Sequence, residues 1–445
     1  MTRFAVIAPP FPSHTAAMSA LASTLIDRGH EVWWMHQADV RQQLRDPRIH
    51  FIALGAASHP PGHLARVLAR AAHPRSPWGL RRVIRDLSAH TQMLVREAAP
   101  ALRAQGIEAI LGDQMEGAAG LLAQAAALPW VSVACALPIN REDGLPLPVM
   151  PWPLPANESE RHRARVSARI YDWVMGSHAA TLRAQSQQLG IAPCASLEAC
   201  LSPRLQLSQT TAGFDFPRRC APPHLHHVGP LRRMPVAVGA PQPARGENPV
   251  PTPGVPYVYA SLGTLQGSRY GLFLRTAKAC KALGAQLLVA HCGGLSARRE
   301  QALRAAGARW VVHTADQVAV LARVDAMVTH AGLNTALECL AAGVPMLALP
   351  LAFDQPGVSA RIVHAGAGLR LSPHRASVAA LRDGLAQLLA EPAFRQNAQR
   401  LGREVRGSGG TAEAAQRIED ALRDQDASHA HPLRHMHKEA AHVAA

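Results

Sequence analysis

The stretch His330-Ala331-Gly332-Leu333-Asn334-Thr335-Ala336-Leu337-Glu338 follows a short apolar run, residues 326–329, that reads as a buried strand. A glycine turn and then a helix rich in Ala and Leu come next. Strand, turn and helix N-terminus together form a seat for phosphate, because the first N–H groups of a helix lack intrahelical partners and its dipole favours an anion there. His330 is placed to donate to a phosphate oxygen, with Gly332, Asn334 and Thr335 beside it. Glu338, one helical turn past Asn334, can accept from ribose hydroxyls. Asp354 and Gln355, just beyond the Gly343-Val344-Pro345 segment and Pro350, can bond sugar hydroxyls. A second glycine turn, Gly263-Thr264, offers another close backbone approach to phosphates. The set reads as a sugar-nucleotide donor site.

Transfer of a sugar to an alcohol also needs a base for the hydroxyl, and a histidine suits that task near neutral pH. His14 follows the first expected strand, in a loop at the carboxyl edge where open α/β sheets bind ligands. Asp113 lies just past a later strand on the same edge. A carboxylate on one imidazole nitrogen fixes the tautomer and stabilises the imidazolium that forms. Each residue also has a plainer use: a loop histidine among 23 is commonly idle, and aspartate after a strand commonly caps a helix. Helix capping serves equally for Asn334 and Thr335, and an ordinary surface turn for Asp354-Gln355.

These residues require elements to hold them. Strands are expected at residues 4–8, 31–36, 108–111 and 131–134, with helices at 15–28, 118–127 and 158–188. After a Pro-rich, Gly-rich and Ala-rich stretch at 232–256, strands are expected at 257–261, 286–291, 310–312, 326–329 and 345–348. A helix is expected at 270–283 and further helical chain at 378–423. Strand-helix alternation of this kind builds a parallel sheet covered on both faces, here twice over. The organisation expected is α/β throughout: one Rossmann-like, doubly wound domain at 1–231, a linker at 232–256, a second such domain at 257–424 and a disordered tail at 425–445. No G-x-G-x-x-G follows the first strand, which leaves a nicotinamide or flavin dinucleotide without support.

Composition narrows the class. The chain has 445 residues, 48% of them hydrophobic, enough for two or three cores of about ordinary size. Its seven cysteines are scattered without a C-x-x-C, which points to a reducing compartment and away from a disulfide framework or cysteine zinc site. The formal charge of +15 comes without a zinc-finger, RNA-recognition or basic-aromatic signature, so nucleic acid is not expected as a partner. The N-terminal apolar run is broken by Pro9, Pro10 and Pro12 and reads as a strand rather than a signal peptide. The uncharged stretch 117–139 is cut by Pro129 into helix and strand, not a membrane span.

The segment from His330 to Gln355 resembles the donor-binding signature of the family-1 nucleotide-diphosphate-sugar glycosyltransferases, which have the GT-B fold. His, Gly, Asn, Glu, Gly-Val-Pro, Pro and Asp-Gln fall in order at that family's spacing. Residues 4–11 with Ser13-His14, 113–116, 131–138, 261–267, 290–296 and 347–358 carry the likeness through most of the chain, closest to its bacterial carotenoid (zeaxanthin) glucosyltransferases. The resemblance implies two domains facing each other across a cleft, with His14 as base, Asp113 as its partner and glucose as the sugar held by Asp354 and Gln355. It implies UDP-glucose as co-substrate, no further cofactor, no metal, inversion in a single displacement, and a hydrophobic carotenoid acceptor. Another hydrophobic alcohol (macrolide, flavonoid or sterol-like) or a non-catalytic nucleotide-sugar binder are the alternatives. Shortly before Gln317, where many relatives stack an aromatic ring on uracil, this chain has Thr314, which leaves backbone contacts near Gln317-Val318 to hold the base. A bilayer-resident acceptor implies a cytoplasmic protein in peripheral contact with an anionic membrane. Residues 64–85, which mix Leu68, Trp78, Leu80, Val83 and Ile84 with six arginines, are compatible with that contact. A solvated helix packed on its own domain accounts for the segment equally well.

Overall fold

The computed structural model describes residues 1–72, 76–232 and 249–430, with side chains through 423. The first half runs β1 (Arg3–Ile7), α1 (Pro12–Asp27), β2 (Glu31–Gln37), β3 (His50–Leu54), α2 (His63–Ala72), α3 (Pro77–Ala104) and β4 (Ala109–Asp113). It continues with α4 (Ala118–Ala125), β5 (Trp130–Ala134), α5 (Glu158–Val174), α6 (Gly176–Gln188), β6 (Gln206–Ser208) and β7 (Leu225–His227). The second half runs β8 (Tyr257–Ser261), α7 (Gly263–Gln266), α8 (Tyr270–Leu283), β9 (Gln286–Ala290), α9 (Ala297–Ala305), β10 (Trp310–Val312), α10 (Gln317–Leu321) and β11 (Ala326–Thr329). It ends with α11 (Leu333–Ala342), β12 (Met346–Ala348), α12 (Gln355–His364), β13 (Gly368–Arg370), α13 (Val378–Ala390), α14 (Pro392–Gly407) and α15 (Gly410–Ala430).

Two parallel sheets result, ordered β3-β2-β1-β4-β5-β6-β7 and β10-β9-β8-β11-β12-β13. Helices cover both faces, so the central strands read as unbroken apolar runs: Phe4, Ala5, Val6 and Ile7 have no exposed surface. Pro12 and Pro77 start α1 and α3, where the missing N–H costs nothing. Ser76 caps α3 by accepting from Gly79 N at 3.1 Å. Gly284 and Gly343 close α8 and α11 in the left-handed conformation.

Several expectations shift. Strands β3, β6, β7 and β13 are additional to those expected; β6, β7 and β13 have three residues each, too few to show alternation. The single helix expected at 158–188 is broken at Met175 into α5 and α6. The 232–256 linker falls mostly on 233–248, outside the described residues. The expected tail begins as helix, since α15 runs to Ala430; residues 431–445 lie outside the described residues. Within 64–85, Leu64 and Ile84 are buried and Leu68 packs on the core, leaving Trp78 and Leu80 exposed; Arg75 is not described.

The second half of the chain also returns to the first sheet. Ala414, Ala415 and Ile418 of α15 join the core that holds Phe4, Leu21 and Trp34. Arg28 pairs with Glu419 at 2.5 Å, and His30 Nε2 meets the same carboxylate at 3.1 Å. Trimming a fully buried Ile418 to Ala is worth about 2–5 kcal/mol, so this strap is held by apolar packing more than by its rim charges. In the other direction Leu137 and Phe214 enter the core of the second sheet.

Candidate active site

Each sheet has one place where strand order reverses, and open α/β sheets bind ligands in the crevice outside the carboxyl ends there. In the first sheet that place lies between β1 and β4, in the second between β8 and β11. His14 follows β1 and Asp113 ends β4. Gly263-Thr264 follow β8 and His330 follows β11. The two halves of the expected site therefore occupy equivalent positions in the two sheets.

His14 sits in the first turn of α1, a correction to its expected loop, and Asp113 is the last residue of β4 rather than the residue beyond it. His14 Nδ1 meets Asp113 Oδ2 at 2.7 Å, with the carboxylate side chain wholly buried. The Met115 N–H donates to Asp113 Oδ1 at 2.8 Å. Asp113 can only accept, so Nδ1 carries the proton and Nε2 keeps its lone pair. Burial disfavours the charged ring, but Asp113, by charge and hydrogen bond, and then Asp354 by charge, more than reverse this and raise the His14 pKa above its ordinary value. Such a ring can take a proton and hold it.

On the other side, Gly332 caps α11 with no side chain bonded to the first-turn N–H groups. His330 Nδ1 is buried without a hydrogen-bond partner among the described residues, and burial lowers its pKa to about 4, so the ring is a neutral donor at pH 7. The ring lies against Gly263 and Gly332: a Cβ on either would come within 2.7 Å of it. Gly263 also has φ +74° and Ala331 φ +63°, the latter a strained conformation for a residue with a Cβ. Thr264 is exposed beside this loop.

The remaining residues are brought together with altered duties. Gln317 Nε2 donates to Glu338 Oε2 at 2.6 Å and approaches Thr335 Oγ1 at 3.4 Å, so its amide orients an acid instead of a base. Burial raises the Glu338 pKa, opposed by that hydrogen bond and by the Arg232 charge. Asn334 Oδ1 accepts from Gln209 Nε2 of the first half at 2.8 Å. Gln355 Oε1 accepts from Leu351 N and Ala352 N at 2.8 and 2.9 Å, which leaves its NH₂ for a ligand. Asp354 is pushed up by burial, an effect that the nearby His14 charge opposes most strongly.

Contacts across the cleft fix the distance between the halves. Gly357 N donates to Pro148 O at 3.0 Å, and a Cβ on Gly357 would come 2.1 Å from that oxygen. Phe353 packs on Phe11 with ring centroids 5.5 Å apart, and Phe11 in turn lies 6.0 Å from His14. Arg361 on α12 pairs with Asp215 at 2.6 Å, both nearly without exposure. Gln209, Asp215 and Arg361 are not among the residues the sequence singles out, and Phe11 is so only as part of the 4–11 segment.

A carboxylate-backed histidine facing a seat for a diphosphate can deprotonate an alcohol and stabilise a departing phosphate. Residues 97–435, most of the chain, match the family described as UDP-glucoronosyl and UDP-glucosyl transferase. The chain belongs to that family. It is a glycosyltransferase. It is 42% identical over 422 residues to the zeaxanthin glucosyltransferase of Pantoea ananas, covering 95% of this chain and 96% of that one. It is 39% identical to the zeaxanthin glucosyltransferase of Pseudescherichia vulneris, covering 95% and 98%. Among solved structures it is similar to the glycotransferase of kitacinnamycin, with TM-score 0.71 at 21% identity over 94% of this chain and 98% of that chain. It is similar in fold also to the glycosyltransferase VinC in complex with DTDP, with TM-score 0.64 at 19% identity over 95% and 99%. Both are glycosyltransferases, and the fold of this family member is GT-B.

Proposed function

We propose that this glycosyltransferase moves glucose from UDP-glucose to the hydroxyl groups of zeaxanthin, giving the mono- and then the diglucoside. The observation that carries the reading is likeness over nearly the full length to two zeaxanthin glucosyltransferases, joined to a His14–Asp113 pair opposite an uncapped helix N-terminus.

His14 Nε2 takes the proton of the acceptor hydroxyl as its oxygen attacks the anomeric carbon of glucose. The bond from that carbon to the diphosphate oxygen breaks on the opposite face, so configuration inverts in one displacement and no sugar is bound to the protein. Asp113 stabilises the imidazolium that forms. The departing UDP is received by the first N–H groups of α11, by Asn334 and Thr335 beside them, and by His330, with the Gly263-Thr264 turn closing on the phosphates. Glu338, oriented by Gln317, accepts from the ribose hydroxyls. Asp354 and the free NH₂ of Gln355 hold the glucose. These groups neutralise the leaving diphosphate without a resident metal or cofactor, UDP-glucose entering as co-substrate.

Among the described residues no helix is long and apolar enough to cross a membrane. We place the protein in the cytoplasm, in peripheral contact with an anionic membrane that holds the acceptor. Purified protein incubated with zeaxanthin in detergent and a panel of sugar nucleotides tests the reading. Zeaxanthin glucosides formed from UDP-glucose are expected, and their absence alongside glucosylation of a macrolide or flavonoid would overturn the acceptor.

A further inference from the structure

We infer that α5 and the start of α3 form one docking face for an anionic bilayer, set at the mouth of the cleft so that the acceptor enters sideways from the membrane. The inference rests on the membrane-resident acceptor proposed above, but its evidence is the distribution of exposed apolar and cationic side chains. Of the ten large hydrophobics exposed among the described residues, five lie on these two helices: Trp78, Leu80, Val166, Ile170 and Trp173. Trp78 and Trp173 are 69% and 76% exposed, while every other tryptophan is half-buried or buried. Val166, Ile170 and Trp173 stand at i, i+4 and i+7, one stripe of α5. That stripe is exposed among the described residues, whereas Ala164 and Ser167 on the opposite side are buried.

Charge selects the occupant. Arg81, Arg82 and Arg85 on α3 and Arg163 and Arg169 on α5 are exposed and pair with no carboxylate among the described residues. The acids nearby are already engaged: Asp86 by Arg70, Asp172 by Arg141, and Glu158 by Arg161 and Arg165. Arg81 lies 5.0 Å from the Trp78 ring and Arg163 4.8 Å from Trp152, so cation and aromatic ring stand together. Tryptophan interleaved with unpaired arginine suits an interface of anionic headgroups over acyl chain. A protein partner would more commonly bring carboxylates to such a face in a fixed geometry.

Position links the face to the site. The carbonyl of Ala72, just before α3, accepts from Gln266 Nε2 at 2.9 Å and Arg269 Nη2 at 3.1 Å, at the end of the turn carrying Gly263-Thr264. Trp78 follows six residues later in the chain. Ser88 Oγ on α3 lies 3.3 Å from His178 Nδ1 near the start of α6, which follows α5 directly. α5 is tied to the cleft as well: Arg163 lies over Trp152, next to Pro151, whose carbonyl accepts from Arg370 of the second half.

Vesicle flotation of the full chain tests this with two lipid compositions, phosphatidylcholine alone and phosphatidylcholine with phosphatidylglycerol. Wild type is expected to float with the anionic vesicles only, and less at high salt. The W78A/W173A double variant is expected to lose partitioning at least about tenfold, and each Arg82→Gln or Arg169→Gln change about fivefold. The double variant should glucosylate detergent-solubilised zeaxanthin at the wild-type rate but lose turnover on zeaxanthin embedded in anionic vesicles. Flotation unchanged in the double variant, or none in wild type, would overturn the inference. So would a dimer that W78A/W173A turns into a monomer, since the face would then join two copies. Flotation without any glucoside in detergent would leave docking standing and overturn the acceptor instead.

Discussion

Gln317 donates to Glu338 at 2.6 Å, so the residue expected beside the nucleobase instead orients the carboxylate proposed to hold the ribose. The carboxylate is buried enough for its pKa to rise, so it depends on that amide to stay ionised and correctly turned. Hydrogen bonds to charged groups contribute about 1.5–3 kcal/mol. Gln317→Ala is therefore expected to weaken UDP-glucose binding roughly tenfold or more, on that scale. Glu338→Ala should lose at least as much, and the double variant little beyond it, because the two act as a unit. Calorimetric titration with UDP-glucose measures all three, and full additivity would break the coupling.

The His14–Asp113 pair makes a prediction in pH. The proposed mechanism needs His14 neutral, and its folded pKa stands above the ordinary 6.5 because Asp113 and Asp354 outweigh burial. The rate should therefore fall on the acid side with a midpoint above 6.5 and level off as pH rises. In Asp113→Asn the burial remains and the carboxylate is gone, so that midpoint moves to lower pH while the plateau drops steeply. His14→Ala should lose about 10²–10⁴ in turnover with donor affinity kept. Profiles of kcat/KM against pH for the three proteins check the assignment.

What could be read beforehand followed the physics of local pattern. Buried parallel strands such as residues 257–261 and 326–329 announce themselves as apolar runs, and the glycines flanking His330 mark a close backbone approach. The α/β class and the residues on the two switch-point edges were legible for that reason. His14 in a helix turn was not, since Pro9, Pro10 and Pro12 speak for loop and helix start alike. Nor were partners distant in sequence: Gln209 meets Asn334 from 125 residues away, and Arg361 meets Asp215 from 146. The return of α15 to the first sheet is likewise a tertiary fact, carried by Ile418 and its neighbours and not by any signal inside 410–423.

Thr314 is exposed in the loop before α10, three residues ahead of Gln317. Gln317 reaches Glu338, so with Glu338 on the ribose as proposed the loop lies on the nucleoside side of the donor seat. An aromatic side chain there would have a base to stack on, worth about 1–3 kcal/mol. Thr314→Trp is expected to lower KM for UDP-glucose about tenfold or more, within that range, and to leave kcat nearly unchanged. Steady-state kinetics at saturating acceptor gives both, and an unchanged KM would place the base elsewhere.

The Arg361–Asp215 pair gives a prediction in stability. Asp215 accepts from Arg361 at 2.6 Å and from Arg218 at 3.2 Å, all three side chains being almost inaccessible. Burial alone would raise its pKa, but the two guanidiniums pull it below the ordinary value. Its contribution is thus present above the unfolded carboxylate pKa and is lost as pH falls through the lower folded one. Asp215→Ala strands two buried cations and should cost about 3–5 kcal/mol. Arg361→Met should cost less, since Arg218 still partners Asp215 and the methionine can keep the apolar contact with Phe216 that the guanidinium makes at 4.3 Å from its ring centroid. The D215L/R361M double variant should recover part of the loss. Urea unfolding at pH 7 ranks the variants, and an Arg361→Met cost equal to that of Asp215→Ala would mean Arg218 contributes nothing. Arg361 lies on the helix that begins at Gln355, next to Asp354. Loosening this pair should therefore also lower turnover, by letting the edge proposed to hold glucose drift from His14.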